Sequence, residues 1–113
     1  MKPEALSQGK GIFLTRSIED LINGRKYVVQ RYIKNPFLID DLKFDLRIYV
    51  LMGGANPLRL YIYKEGLTRF ATRKYEEPNE ENLSQNYIHL TNYSLNKNNP
   101  EYMINGSVQV TIY

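Results

Sequence analysis

Lys43, Asp45 and Arg47 stand two apart in the run Lys-Phe-Asp-Leu-Arg-Ile-Tyr-Val-Leu-Met, residues 43–52. Successive side chains of a strand point to opposite faces. The spacing therefore puts cation, anion and cation on one face, and Phe44, Leu46, Ile48, Val50 and Met52 on the other. Such a row is either the solvated side of an antiparallel sheet or a surface that meets a charged ligand, because burying charge without a partner is costly. Three other stretches carry polar chemistry. Ser7-Gln8-Gly9-Lys10-Gly11 is a glycine-punctuated loop of the kind that brings backbone N–H groups close to phosphates, with Lys2 and Lys10 as available cations. It matches neither the Walker nor the Rossmann fingerprint, and by itself reads more readily as an ordinary turn. Gln30-Arg31-Tyr32-Ile33 closes an apolar segment and could offer a nucleobase an edge of hydrogen bonds between apolar walls, or simply be strand. His89-Leu90-Thr91-Asn92-Tyr93-Ser94 is crowded with hydrogen-bonding groups and is either a site or a solvated turn.

The elements that must position these residues are mostly strands. Lys2-Pro3 favours extended backbone. Ile12-Phe13-Leu14 reads as a short strand, and Ser17 as the cap of a brief helix over residues 18–22, with Glu19 and Asp20 in its first turn and Asn23-Gly24 as its stop. Residues 27–33 are β-branched and aromatic, which predicts a strand broken by Asn35-Pro36. Asp40-Asp41 makes a turn into the long strand at 43–52, Gly53 to Pro57 makes the next turn, and Leu58 to Tyr63 alternates again. Residues 43–63 thus read as one antiparallel hairpin. Leu67 to Thr72 adds a short strand, 73–86 a polar surface loop, 96–100 an irregular asparagine-rich stretch, and Val108 to Tyr113 a last strand after Asn105-Gly106-Ser107.

Composition narrows the function classes. The chain has 113 residues, 42% hydrophobic and 24% charged, which suits one folded unit or part of one. The absence of cysteine excludes disulfides and thiolate metal sites, and a single histidine excludes a multi-histidine site. No apolar run approaches the ~20 residues that span a bilayer, and the first residues lack a signal-peptide layout. A net charge of +3 permits an acidic partner but, without a dense Lys/Arg block, does not demand nucleic acid. Ten tyrosines and no tryptophan favour amphipathic strands over a helical bundle.

In order, Lys2-Pro3-Glu4, Gln8-Gly9-Lys10-Gly11-Ile12, Gln30-Arg31-Tyr32-Ile33, Lys43 to Val50, Tyr63-Lys64-Glu65-Gly66, Arg69-Phe70-Ala71-Thr72 and His89 to Ser94 resemble the tubulin tyrosine ligase-like family, over residues 1 to about 97. The resemblance implies an α+β, ATP-grasp-like fold, mostly antiparallel sheet with short helices, here as an incomplete domain spanning residues 1–113. It implies a ligase that uses ATP and Mg²⁺ to activate a carboxylate as an acyl phosphate, which an amino acid's amine then attacks. By motif, Lys2, Gln8, Gly9, Lys10, Gly11, Ile12, Gln30, Arg31, Tyr32, Ile33, Lys43, Asp45, Thr91 and Asn92 would meet ATP, with Gln8 to Ile12 as a flap and Gln30 to Ile33 as the adenine hinge. Arg69, Tyr93 and Ser94 would hold the incoming amino acid, since a guanidinium forks onto a carboxylate. Arg47 would act catalytically, stabilising charge on the acyl phosphate.

Thr91-Asn92-Tyr93-Ser94, with Leu38 to Lys43, resembles the glutamate-adding members rather than those that ligate glycine or tyrosine. The partners implied are free glutamate and the acidic C-terminal tails of tubulin in microtubules, with neither nucleic acid nor membrane. The setting implied is the cytoplasmic microtubule cytoskeleton, including cilium and basal body. The family's magnesium ligands, an aspartate and a later Glu-x-Asn, are not found after Ser94, where Glu101 is the one acid, and by the resemblance an N-terminal domain before Lys2-Pro3 is expected to be missing from this portion. The chain thus reads as a central portion of a ligase, expected to be inactive alone. The competing reading is a tubulin-binding remnant without chemistry.

Overall fold

The structure, a computed structural model, describes residues 1–4, 6, 9–21, 24–100 and 102, and the backbone of 109–111. Ser7, Gln8, Ile22, Asn23, Glu101, Asn105 to Val108, Ile112 and Tyr113, all invoked above, lie outside the described residues.

Eight strands are described: β1 (Lys2–Pro3), β2 (Tyr27–Val28), β3 (Leu38–Ile39), β4 (Leu42–Arg47), β5 (Val50–Ala55), β6 (Leu58–Ile62), β7 (Glu65–Phe70) and β8 (Gln109–Thr111). Two one-turn helices, α1 (Asn86–His89) and α2 (Tyr93–Asn96), and a short 3₁₀ turn at Ile18–Asp20 complete the set. All pairing is antiparallel, in a four-stranded sheet of order β3-β4-β7-β8 and two isolated pairs, β1-β2 and β5-β6. The expected mix of antiparallel sheet and little helix is therefore what forms.

Local chemistry explains several elements. Ser17 accepts from the Glu19 N–H as cap of the 3₁₀ turn. Asp40 and Asp41 take positive φ (51° and 62°) in a two-residue loop that joins β3 to β4 in tight register, Ile39 opposite Leu42. Aspartate tolerates this left-handed backbone better than most residues.

The single 43–63 hairpin is not what forms. The alternating run is divided at Ile48-Tyr49: β4 pairs with β7, while β5 pairs with β6. Gly53 to Ala55 belong to β5, which has an irregularity between Met52 and Gly54, so the turn shrinks to Asn56-Pro57. Periodicity reports which way side chains face, not which strand they pair with, so a change of partner leaves no mark in it. The apolar face divides with the strand. Phe44 lies opposite Phe70 with ring centroids 5.8 Å apart and has Phe37 at 6.2 Å. Val50 and Met52, on the β5-β6 ribbon, are exposed.

Two further expectations change. Only Tyr27–Val28 of the 27–33 segment is strand, because β1 offers it two residues to pair with, and Ile12 to Leu14 is not a strand. Residues 73–86 are not wholly a surface loop, since Pro78 and Asn82 are buried. The most enclosed side chains are largely polar. His89 and Asn96 are each 1% exposed and stand beside Ala71 and Ile88 as the centre of packing, under the strand end at Ala71-Thr72.

Candidate functional site

β4 and β7 build the platform. In their register Asp45 faces Arg69 directly, so both project from the same side of the sheet, with Lys43 and Arg47 two positions away along β4. The Arg69 guanidinium donates to both Asp45 oxygens, Nε to Oδ1 at 2.7 Å and Nη2 to Oδ2 at 2.5 Å. Thr91 Oγ1 adds a third donor to Asp45 at 2.9 Å. The hydrogen bond to Asp45, against the cost of burial, holds the Arg69 pKa above its ordinary value. This bidentate geometry fixes the register of two strands and a loop at one carboxylate.

One step along β4, the Lys43 ammonium donates to Tyr32 Oη at 3.1 Å and to the His89 carbonyl at 3.0 Å, and lies 4.2 Å from the Tyr32 ring centre. Burial lowers the Lys43 pKa, partly offset by the nearby Asp45 charge. Tyr32 Oη meets His89 Nδ1 at 3.0 Å, and His89 Nε2 meets the Asn82 carbonyl at 3.1 Å. Burial also lowers the His89 pKa and raises that of Tyr32, so the imidazole is neutral and the phenol protonated at neutral pH.

The loop carrying Thr91 and Asn92 is clamped from beneath. Asn96 Oδ1 accepts from the Thr72 N–H (3.1 Å) and hydroxyl (2.8 Å), while its Nδ2 donates to the Leu90 (2.8 Å) and Asn92 (3.1 Å) carbonyls. On top, the glycine loop packs against the same turn. Gly9 is buried with φ +80°, and a Cβ there would sit 3.1 Å from Asn92 Cγ and 3.2 Å from Leu95 Cδ1. Only glycine allows both that backbone and that approach.

Of the residues predicted from sequence, the structure thus gathers Tyr32 with Lys43, Asp45 with Arg69 and Thr91, and Gly9 with Asn92. Lys2, Lys10, Gln30, Arg31, Ile33 and Arg47 are exposed. Gly11 packs at Pro3 and Leu6, and Ile12 closes the loop by donating its N–H to the Gly9 carbonyl at 3.2 Å. Tyr93 is exposed, edge-on to Tyr102 with Lys97 over its ring, and Ser94 is half-buried. Gln8 lies outside the described residues. Sequence reasoning missed His89, Asn82 and Asn96 as working side chains. A buried, internally bonded polar residue looks the same in sequence as a solvated one, and the one available signal was His89's place in the 89–94 hexad.

Among the described residues no three His, Asp or Glu side chains gather. The carboxylate of the cluster, Asp45, is already bonded to Arg69 and Thr91. Magnesium beside a nucleotide is held by one or two carboxylates together with phosphates and waters, and in this cluster Arg69 and Thr91 already occupy the Asp45 oxygens.

Lys43, Thr91, Asn92 and the glycine loop at Gly9 are thus held beside the β4-β7 pair by Tyr32, His89 and Asp45 and by packing of Gly9 against Asn92. The family model described as "Tubulin-tyrosine ligase family" matches residues 1–110. The chain belongs to the tubulin-tyrosine ligase family. Its relatives include a Tetrahymena thermophila protein named "Probable beta-tubulin polyglutamylase", 59% identical over 105 residues, which are 93% of this chain and 9% of that protein. Tubulin polyglutamylase TTLL6 of Mus musculus is 49% identical over 90% of this chain and 12% of its own length. Tubulin polyglutamylase TTLL11 of Mus musculus is 45% identical over 95% of this chain and 15% of its own length. The chain therefore spans roughly a tenth of these relatives.

Proposed function

We propose that this chain is the nucleotide-facing portion of an ATP-grasp ligase that adds glutamate to glutamate side chains of tubulin C-terminal tails. The observation that carries the reading is the convergence of Lys43, Thr91 and Asn92 around one end of the β4-β7 pair, closed by the glycine loop at Gly9. The names of the relatives support glutamate as the amino acid over glycine or tyrosine.

In the proposed reaction a tail carboxylate oxygen attacks the γ-phosphorus of ATP. ADP leaves and an acyl phosphate forms. The amine of free glutamate then attacks the acyl carbon, phosphate departs with the electron pair of the broken C–O bond, and the amine loses a proton to give an isopeptide bond. Lys43 would hold phosphate oxygens, Lys2 and Lys10 would add charge from the glycine-loop side, and the backbone around Gln30 to Ile33 would edge the adenine. Arg47, exposed at the end of β4, would meet the acyl phosphate. Arg69, Tyr93 and Ser94 would receive the glutamate, whose carboxylate must share or replace Asp45 on the Arg69 fork. The reading places the protein on microtubules in the cytoplasm, cilium or basal body, where a basic domain is drawn to acidic tails.

The test is ATP-dependent incorporation of labelled glutamate, glycine or tyrosine into microtubules by a full-length protein containing this chain, against its Lys43→Met variant. Glutamate alone, lost in the variant, is the expected result; glycine or tyrosine incorporation would refute the specificity. The engagement of the Asp45 carboxylate by Arg69 and Thr91 favours a second reading for the 113-residue chain alone, tubulin binding without chemistry. Tubulin affinity indifferent to ATP, with and without magnesium, would select it.

A further inference from the structure

We propose that Tyr32 and His89 are positioning residues that fix the Lys43 ammonium through a one-way hydrogen-bond relay anchored at Asn82. The inference rests on the reading of Lys43 as a phosphate-binding lysine, and assigns to the Tyr32 side chain a role other than lining an adenine pocket.

Proton direction is determined at both ends of the relay. Asn82 Oδ1 accepts from the Asn79 N–H at 2.9 Å, and its Nδ2 donates to the Glu77 carbonyl at 3.1 Å, which orients the amide. His89 Nε2 therefore faces two acceptors, the Asn82 carbonyl at 3.1 Å and Oδ1 at 3.3 Å, and must carry the proton. Burial keeps the ring neutral, so Nδ1 has a lone pair and faces Tyr32 Oη at 3.0 Å. The Tyr32 proton faces two acceptors, His89 Nδ1 and the oxygen of Tyr75, whose own proton goes to the Lys34 carbonyl; with either, the Tyr32 oxygen accepts from Lys43 Nζ at 3.1 Å. Neither the His89 ring nor the Lys43 ammonium can reverse without placing two acceptors or two donors face to face.

The geometry suits positioning and not proton transfer. His89 is 1% exposed, enclosed by the edges of Tyr32 (centroids 5.6 Å, 89°) and Tyr75 (6.3 Å, 83°), out of reach of any ligand. Its backbone carbonyl takes a second Lys43 N–H at 3.0 Å, so one residue holds the ammonium twice, directly and through Tyr32. A lysine has four rotatable bonds and three donors. With two donors directed at Tyr32 and His89, its remaining freedom is small and the third N–H has a set direction. Ordering that a free lysine would undergo on binding is complete beforehand, which favours affinity.

The experiment compares binding of a fluorescent ATP analogue, together with the rate of reductive methylation at Lys43 read by peptide mass spectrometry. Both are measured on the full chain and its variants. Lys43→Met should abolish most affinity. Tyr32→Phe keeps the ring but breaks the relay, and should weaken binding about tenfold, in proportion to one hydrogen bond to a charged group, while Lys43 methylates faster. Adding Tyr32→Phe to Lys43→Met should cost nothing more. His89→Asn, which retains an acceptor near Nδ1, should bind better than His89→Leu, and this pair decides the matter if Tyr32→Phe does not fold. Unchanged affinity in Lys43→Met would overturn the nucleotide role of the lysine and the positioning role with it. Loss in Lys43→Met but none in Tyr32→Phe, with methylation unchanged, would overturn the positioning role alone.

Discussion

Replacing Asn96 by alanine should be the most damaging single change to the fold around the site. The amide is 1% exposed and makes four hydrogen bonds. Their loss is unequal. The Thr72 hydroxyl still accepts from Asn99 Nδ2 at 2.7 Å, and the Asn92 carbonyl still receives the Leu95 and Asn96 N–H groups at 3.1 and 3.0 Å. Among the described residues the Thr72 N–H and the Leu90 carbonyl have no such second bond. Each buried group left without a partner costs about 1–3 kcal/mol, so the two together cost about 3 kcal/mol, with the vacated amide volume adding to it. For a domain of this size that lowers the thermal midpoint by roughly 12 °C. Asn96→Asp should retain part of the loss, since the carboxylate still accepts from Thr72 but cannot donate to the carbonyls. Urea unfolding followed by circular dichroism measures the change. A difference under about 1 kcal/mol at unchanged denaturant slope would refute the idea that this amide clamps the Thr91-Asn92 loop to the end of β7.

Three other outcomes follow from the same geometry. His89 has its folded pKa below the ordinary 6.5, so the unfolded chain binds the extra proton first; stability should be complete above pH 6.5 and decline as pH falls below it, levelling off beneath the lowered value, and His89→Asn should flatten that slope. Gly9→Ala places a Cβ on backbone at φ +80° and 3.1 Å from Asn92 Cγ, so it should cost about 1–2 kcal/mol and weaken binding of an ATP analogue, as titration would read. Asp45→Asn removes the charge from a pair in which Asp45 and Arg69 side chains remain 39% and 27% exposed; solvent screening limits the loss to about 1 kcal/mol by denaturant titration, and a loss above ~3 kcal/mol would mean the pair is far more enclosed than described.

What could be read from the sequence was whatever is written in single residues or in strict alternation. Ser17 announced its cap, Asp40-Asp41 its turn, and the two-residue spacing of Lys43, Asp45 and Arg47 their common face. Pairing was not legible. The alternation of 43–52 continues unbroken across Ile48-Tyr49, where the chain leaves one sheet for another, because facing and partnership are independent properties of a strand. The helices α1 and α2 are four residues each, too short to leave a helical period in the apolar pattern. Of the site, the charged and hydroxyl groups that touch one another were anticipated, whereas the buried amides and the imidazole beneath them were not. Asn82 and His89 bond to backbone carbonyls 5 and 7 residues away, and Asn96 joins the Leu90 carbonyl to the Thr72 N–H, 6 and 24 residues away; such irregular spacings follow no periodic pattern.

The β5-β6 ribbon is joined to the four-stranded sheet through Ile48-Tyr49 and Tyr63-Lys64 and hydrogen-bonds within itself, its Val50, Leu51, Met52, Leu58, Leu60 and Ile62 all more than half exposed. Cooperative units of a protein open separately where few contacts bind them together. Amide exchange along the ribbon should therefore proceed on its own clock, and whatever grasps or bends that arm will leave the Lys43–Asp45 platform undisturbed.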